Sequence, residues 1–140
     1  MRYYLDAEFN GFGGALIALA LAPEDGSAPF YAAVHCPQPT PWVAAHVLPV
    51  LHVEQVTHAE LGRAMSAYLS RDPDPVLIAD WPEDIAHAAM ALIARPGFRH
   101  PIAHIRFELC DPAGFDAARM SAVPHNALED AIAFRAFMLG

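Results

Sequence analysis

Tyr3-Tyr4-Leu5-Asp6-Ala7-Glu8-Phe9, Asn10-Gly11-Phe12-Gly13-Gly14 and Ala15-Leu16-Ile17-Ala18-Leu19-Ala20-Leu21-Ala22 follow one another near the start of the chain, and their reading decides the fold. The first stretch has the composition and length of a strand. The second is a glycine-rich turn. The third is a continuous apolar run, too short for a membrane span and of the length expected of a buried strand. Pro23-Glu24-Asp25-Gly26-Ser27 is another turn, and residues 29–35 read as a third strand. Three strands joined by short turns predict an antiparallel meander.

Helical patterns follow. Pro41 suits a first helical turn, and residues 42–51 predict a short apolar helix. Thr57-His58-Ala59-Glu60 is a capping box, with Leu61, Ala64, Met65, Tyr68 and Leu69 on one face of the helix behind it. Asp72-Pro73-Asp74-Pro75 stops that helix, and residues 76–79 predict a short buried strand. Asp80-Trp81-Pro82-Glu83 reads as a second capping box, with Asp80 as N-cap of a helix reaching about Ala94 and ended by Arg95-Pro96-Gly97. Residues 102–110 read as a strand. Asn126-Ala127-Leu128-Glu129 is a third capping pattern and opens the last helix. The order βββ-α-α-β-α-β-α predicts an α/β fold with a mixed sheet. No repeat or linker divides the chain, so residues 1–140 are expected to form one domain.

Composition narrows the function. The formal charge is −8, and all eight basic residues are arginine. There is no basic stripe of the kind that grips long nucleic acid through its phosphates. An enzyme holding a few nucleotides at one end remains compatible with this charge, because bound divalent cations can supply the positive field. Cys36 and Cys110 are far apart and lack metal-type spacing, so they read as free thiols in a reducing compartment. No apolar leader precedes Asp6, and the cytoplasm is the expected location. With 55% hydrophobic residues, the chain can build a core without disulfides, and part of the excess can serve a subunit interface.

Asp6 and Glu8 are two residues apart on the first strand, so their side chains share one face while Tyr3, Leu5, Ala7 and Phe9 point the other way. Two neighbouring carboxylates repel, and a divalent cation relieves the repulsion. An exposed strand end would look the same. Asp84 and Asp130 each fall near the start of a helix, where the macrodipole favours negative charge. Helix stabilisation alone is the competing explanation, and capping accounts for Asp80, Glu83, Asn126 and Glu129. His125 sits in the loop at the mouth of the last helix, and its ordinary pKa near neutrality suits it to take a proton from water.

Together these residues resemble the DEDD exonuclease superfamily. Asp6-Ala7-Glu8 resembles its first motif. Val76-Leu77-Ile78-Ala79-Asp80-Trp81-Pro82-Glu83-Asp84 resembles the second. Pro124-His125-Asn126-Ala127-Leu128-Glu129-Asp130-Ala131 resembles the third motif of the DEDDh branch. The motifs come in the family's order and on its element types. Glu83 departs from the family, which often has an apolar or aromatic residue before the second-motif aspartate. Asp80 offers a second acid, but Asp84 fits better because the family places its aspartate inside the helix.

The resemblance implies a ribonuclease H-like fold and 3′→5′ exonuclease chemistry of the ribonuclease T-like or oligoribonuclease-like kind. It implies that Asp6, Glu8, Asp84 and Asp130 hold two Mg²⁺ or Mn²⁺ ions, that His125 is the general base, and that nucleoside 5′-monophosphates are released. The implied partner is a single-stranded 3′ end, RNA in preference to DNA, and the resemblance extends to a homodimer. Phe9, Phe12 and Trp81 lie beside the motifs and are candidates for base stacking, with Phe9 expected to face the core instead. The other histidines, including His100 and His104 and the series His46, His52, His58, have spacings that align no metal ligands and read as structural. Two other functions fit the same residues: a catalytically weak domain binding nucleic acid or a protein, and a phosphodiesterase for short oligonucleotides.

Overall fold

A computed structural model describes residues 1–140. In chain order its strands are β1 (Arg2–Phe9), β2 (Leu16–Pro23), β3 (Phe30–Val34), β4 (Gln55–Val56), β5 (Val76–Ala79), β6 (Ile93–Arg95), β7 (Phe98–Arg99) and β8 (Arg106–Leu109). Its helices are α1 (Pro41–His46), α2 (His58–Leu69), α3 (Pro82–Ala91), α4 (Ala117–Met120) and α5 (Ala127–Leu139). Six strands form one mixed sheet in the order β4-β3-β2-β1-β5-β8. The meander of β1, β2 and β3 is antiparallel, whereas β5 and β8 continue the sheet in parallel with β1. The fold is thus α/β, with helices on both faces.

Every residue of β2 is buried, which explains its unbroken apolar run: it is central and covered on both sides. On one face Tyr3, Leu5, Ala7, Leu19 and Leu21 pack with Leu61, Met65 and Leu69 of α2 and Ala88 and Ala91 of α3. On the other, Tyr4, Ala18, Ala20, Ala22 and Ile78 meet Val43 of α1 and Ala127, Ala131 and Phe134 of α5. The alanines are small, so α5 can lie close to the strands that carry the acids. No helix is long and apolar enough to cross a membrane.

Several boundaries differ from the sequence reading, each for a physical reason. Asp80 is not the N-cap of α3. Pro82 occupies its first turn and forces the preceding residue into extended backbone, so Trp81 is the cap, at φ −130° and ψ 134°. No side-chain capping bond forms there. Helix α3 stops at Ala91 rather than Ala94, because residues 93–99 turn back as the β6–β7 hairpin around Gly97, which has φ +80°. The expected strand 102–110 shrinks to Arg106–Leu109, since its only partner, β5, is four residues long. Pro49 breaks the first helix: α1 ends at His46 and a single 3-10 turn, Leu48–Val50, follows. The two-residue β4 and the short α4 were not foreseen. Thr57 and Glu60 do form the full reciprocal capping box. Asn126 caps α5 by accepting from Glu129 N–H, but its backbone N–H donates to Val123 O, leaving Glu129 no return bond to make.

Candidate metal centre

Strand alternation turns Asp6 and Glu8 to the side of Tyr4, facing α5. Asp130 lies on the same stripe of α5 as the buried Ala127, Ala131 and Phe134, an acid where packing alone would call for an apolar residue. The two segments meet: oxygens of Asp6, Glu8 and Asp130 all lie within 4.8 Å of one another. Asp130 Oδ2 accepts a hydrogen bond from the His125 backbone N–H at 3.1 Å. Asp130 Oδ1 and Asp6 Oδ2 are enclosed and have no hydrogen-bond partner. A buried oxygen without a donor is costly. A set of hard carboxylate oxygens with two such atoms fits a hard divalent cation.

Asp84 is buried at the third position of α3, inside the first turn rather than the second, because the cap has moved to Trp81. It stands outside the set of three, yet its charge is the strongest of the neighbouring ones acting on Asp6. Burial first, then Asp84, Glu8 and Asp130, holds the Asp6 carboxyl well above the usual carboxylate range. Burial, then Asp130 and Asp84, pushes Glu8 up to about 9. Burial and Asp80 raise Asp84 to about 8 against the opposing pull of the Ala7 amide. Asp130 rises only to about 6, because Ser121 and the His125 amide offset its burial. Asp80 is raised by its own burial and by Asp111. Four acids whose proton affinities are all raised, with no basic side chain hydrogen-bonded to any of them, form a pocket that a cation can ionise.

His125 adopts left-handed backbone at φ +70°. Its ring hydrogen-bonds none of the four acids and instead meets Trp42 edge-on, with centroids 4.9 Å apart, and lies 6.3 Å from His46. Burial, then His46, lowers its pKa from the ordinary imidazole value.

Beside the acids is a groove of about 450 Å³ lined by Glu8, Phe9, Gly11, Phe12, Thr40 and Trp42. Phe12 is 87% exposed there. Phe9 packs against the core, as its register required, and stacks on His87 at 5.0 Å. Trp81 is half-exposed and tilts against Phe12 at 6.2 Å. Trp42 and Thr40 escaped the sequence reading because they belong to no motif; a tryptophan one residue after a helix-opening proline was the available signal. Glu83 does not make the capping-box bond expected of it, since no side-chain cap forms at α3. Its Oε2 accepts from Gly13 N–H at 2.8 Å, and its Oε1 from Trp81 Nε1 at 3.3 Å. Glu83 thereby braces the glycine-rich turn over the groove. A larger cavity of about 630 Å³, lined by His35, His58 and His87 among others, contains none of the four acids. Comparison with family models, with curated proteins and with solved structures finds no match for this chain.

Proposed function

We propose that this protein is a metal-dependent 3′→5′ exonuclease, acting on single-stranded ends, RNA in preference to DNA. The observation that carries the reading is the meeting of Asp6, Glu8 and Asp130 within 4.8 Å, with buried, unpartnered oxygens on two of them. The strand order, an antiparallel meander extended by two parallel strands with acids on the central β1, supports a ribonuclease H-like fold. The two unpaired thiols, Cys36 and Cys110, fit a reducing cytoplasm.

Asp6, Glu8 and Asp130, with Asp84 beside them, would hold two Mg²⁺ or Mn²⁺ ions. Such ions supply Lewis acidity at the phosphate and charge compensation for the leaving oxygen. His125 would take a proton from the attacking water, the role the resemblance implies for it. The water oxygen bonds to the phosphorus of the last linkage, the bond to the 3′ oxygen of the preceding nucleotide breaks, that oxygen takes up a proton from solvent to become the new 3′ hydroxyl while His125 returns its proton to solvent, and a nucleoside 5′-monophosphate leaves. Phe12 and Trp42 offer stacking faces to the last base. Glu8 lies at the boundary between this groove and the acids, so a base seated there brings its phosphate towards the cluster.

A 5′-labelled oligoribonucleotide, and its deoxyribo counterpart, incubated with Mn²⁺ tests the reading. The expected result is a ladder shortening from the 3′ end, faster on RNA, and lost in Asp6→Ala and Asp130→Ala with the fold intact. Near-normal metal-dependent activity in either variant refutes the assignment. Absence of cleavage favours a binding domain, and cleavage of dinucleotides alone favours a phosphodiesterase for short oligomers.

A further inference from the structure

The general base of this site has nothing polar holding its ring. His125 is anchored by its backbone, whose N–H donates to Asp130, and by the next residue, Asn126, whose Nδ2 donates to Val50 O at 2.7 Å. The imidazole makes no hydrogen bond, and its aromatic neighbours are Trp42, in a T-shaped contact at 4.9 Å and 79°, and His46 at 6.3 Å. His46 in turn packs on Trp42 at 5.0 Å, so the indole touches both imidazoles.

Trp42 is itself well placed. It stands in the first turn of α1, whose cap Thr40 donates its backbone N–H to Asn10 Oδ1 at 2.9 Å. Asn10 Nδ2 donates to Gln38 O at 2.9 Å, so one side chain fastens the glycine-rich turn after β1 to the start of α1. The same indole lines the groove together with Phe12 and remains 52% exposed. One side of Trp42 therefore meets the base of the reaction, and another meets the space that a nucleobase would fill.

We infer that Trp42 is a positioning residue for His125: its edge contact sets the orientation of the imidazole, and a nucleobase in the groove bears on the same indole and so steadies the general base when substrate is present. The inference rests on the nuclease reading. It assigns Trp42 two separable effects, on substrate affinity through the groove and on turnover through His125.

A double-mutant cycle separates them. Steady-state kinetics with Mn²⁺ and a 5′-labelled single-stranded oligoribonucleotide are measured for the wild type, Trp42→Ala, Trp42→Phe, His125→Ala and Trp42→Ala/His125→Ala. Trp42→Ala is expected to lower kcat about 10- to 100-fold, the scale of a misplaced catalytic group. Trp42→Phe, which keeps an aromatic edge, is expected to stay within about threefold of wild-type kcat. In the His125→Ala background the kcat effect of Trp42→Ala is expected to shrink below about twofold, while its effect on KM persists. Equal kcat losses in both backgrounds, or a change in KM alone, would overturn the inference while leaving the nuclease reading standing. A wild-type chain that cleaves nothing overturns both. The imidazole resonances of the metal-free protein give a reading independent of turnover: Trp42→Ala, but not Trp42→Phe, should broaden or split the His125 signal. A single sharp His125 signal in Trp42→Ala overturns the inference.

Discussion

Replacing Glu8 by glutamine in the metal-free protein probes the electrostatics of the cluster, because the substitution keeps the side-chain shape and removes its charge. Burial, then Asp130 and Asp84, pushes the Glu8 carboxyl up to about 9 from an ordinary 4.5. The folded chain therefore retains a proton there that the unfolded chain releases. Stability is fully present below about 4.5 and is lost as pH climbs towards about 9. At pH 7 the loss attributable to Glu8 is on the order of 3 kcal/mol, each pH unit above 4.5 costing roughly 1.4 kcal/mol. Glu8→Gln lacks this loss. For a chain of 140 residues, where about 1 kcal/mol moves the midpoint by roughly 3 °C, the variant should melt up to roughly 10 °C higher than wild type at pH 7 in EDTA. At pH 4 the two should melt together. Mn²⁺ should raise the wild-type midpoint by binding only the folded state, and raise that of the variant less. Calorimetric melts at the two pH values, with and without Mn²⁺, measure all of this. A variant whose midpoint tracks wild type at both pH values, or which gains as much from Mn²⁺, would refute the account of a desolvated acid awaiting a cation.

Three further outcomes follow from particular contacts. His125→Ala should leave Mn²⁺ binding, measured by titration calorimetry, near the wild-type value while slowing hydrolysis by about 10²- to 10⁴-fold; loss of binding and turnover together would place His125 among the ligands instead. Gly62→Ala should lower the unfolding free energy by about 1–3 kcal/mol in urea titrations, because a Cβ there would lie 2.2 Å from Ala91 O and 2.8 Å from His100 Nε2. Glu83→Ala should raise KM several-fold with kcat little changed, since it releases the Gly13 amide and loosens the turn over the groove; an unchanged KM would mean that the brace has no part in binding.

Much of the fold was legible because it is written in local chemistry. The unbroken apolar run of β2 announced a strand covered on both faces, and the alternation of β1 put Asp6 and Glu8 on one side. Thr57 and Asn126 marked helix starts because each side chain completes a bond within three residues of itself. The errors also have local causes. Asp80 carries the right chemistry for a cap, but the ring of Pro82 dictates the backbone of Trp81 and moves the helix start by one residue. The length of β8 was misjudged because a strand extends only as far as its neighbour pairs, and β5 is short.

The sequence by itself determined the principal strands and helices, their order and the placing of acids at a strand end and at two helix starts, since these depend on each residue and its near neighbours; the short β4, β6, β7 and α4 were beyond it. Only the tertiary structure decided that Asp6, Glu8 and Asp130 converge, that Asp84 stands just beside them, that Glu83 braces the glycine-rich turn and that Trp42 lies against His125. The physical reason is the range of the forces involved. Backbone preference acts over a few residues of chain, whereas desolvation, Coulomb repulsion and aromatic contact depend on distance through space, and here they act between segments from opposite ends of the polypeptide.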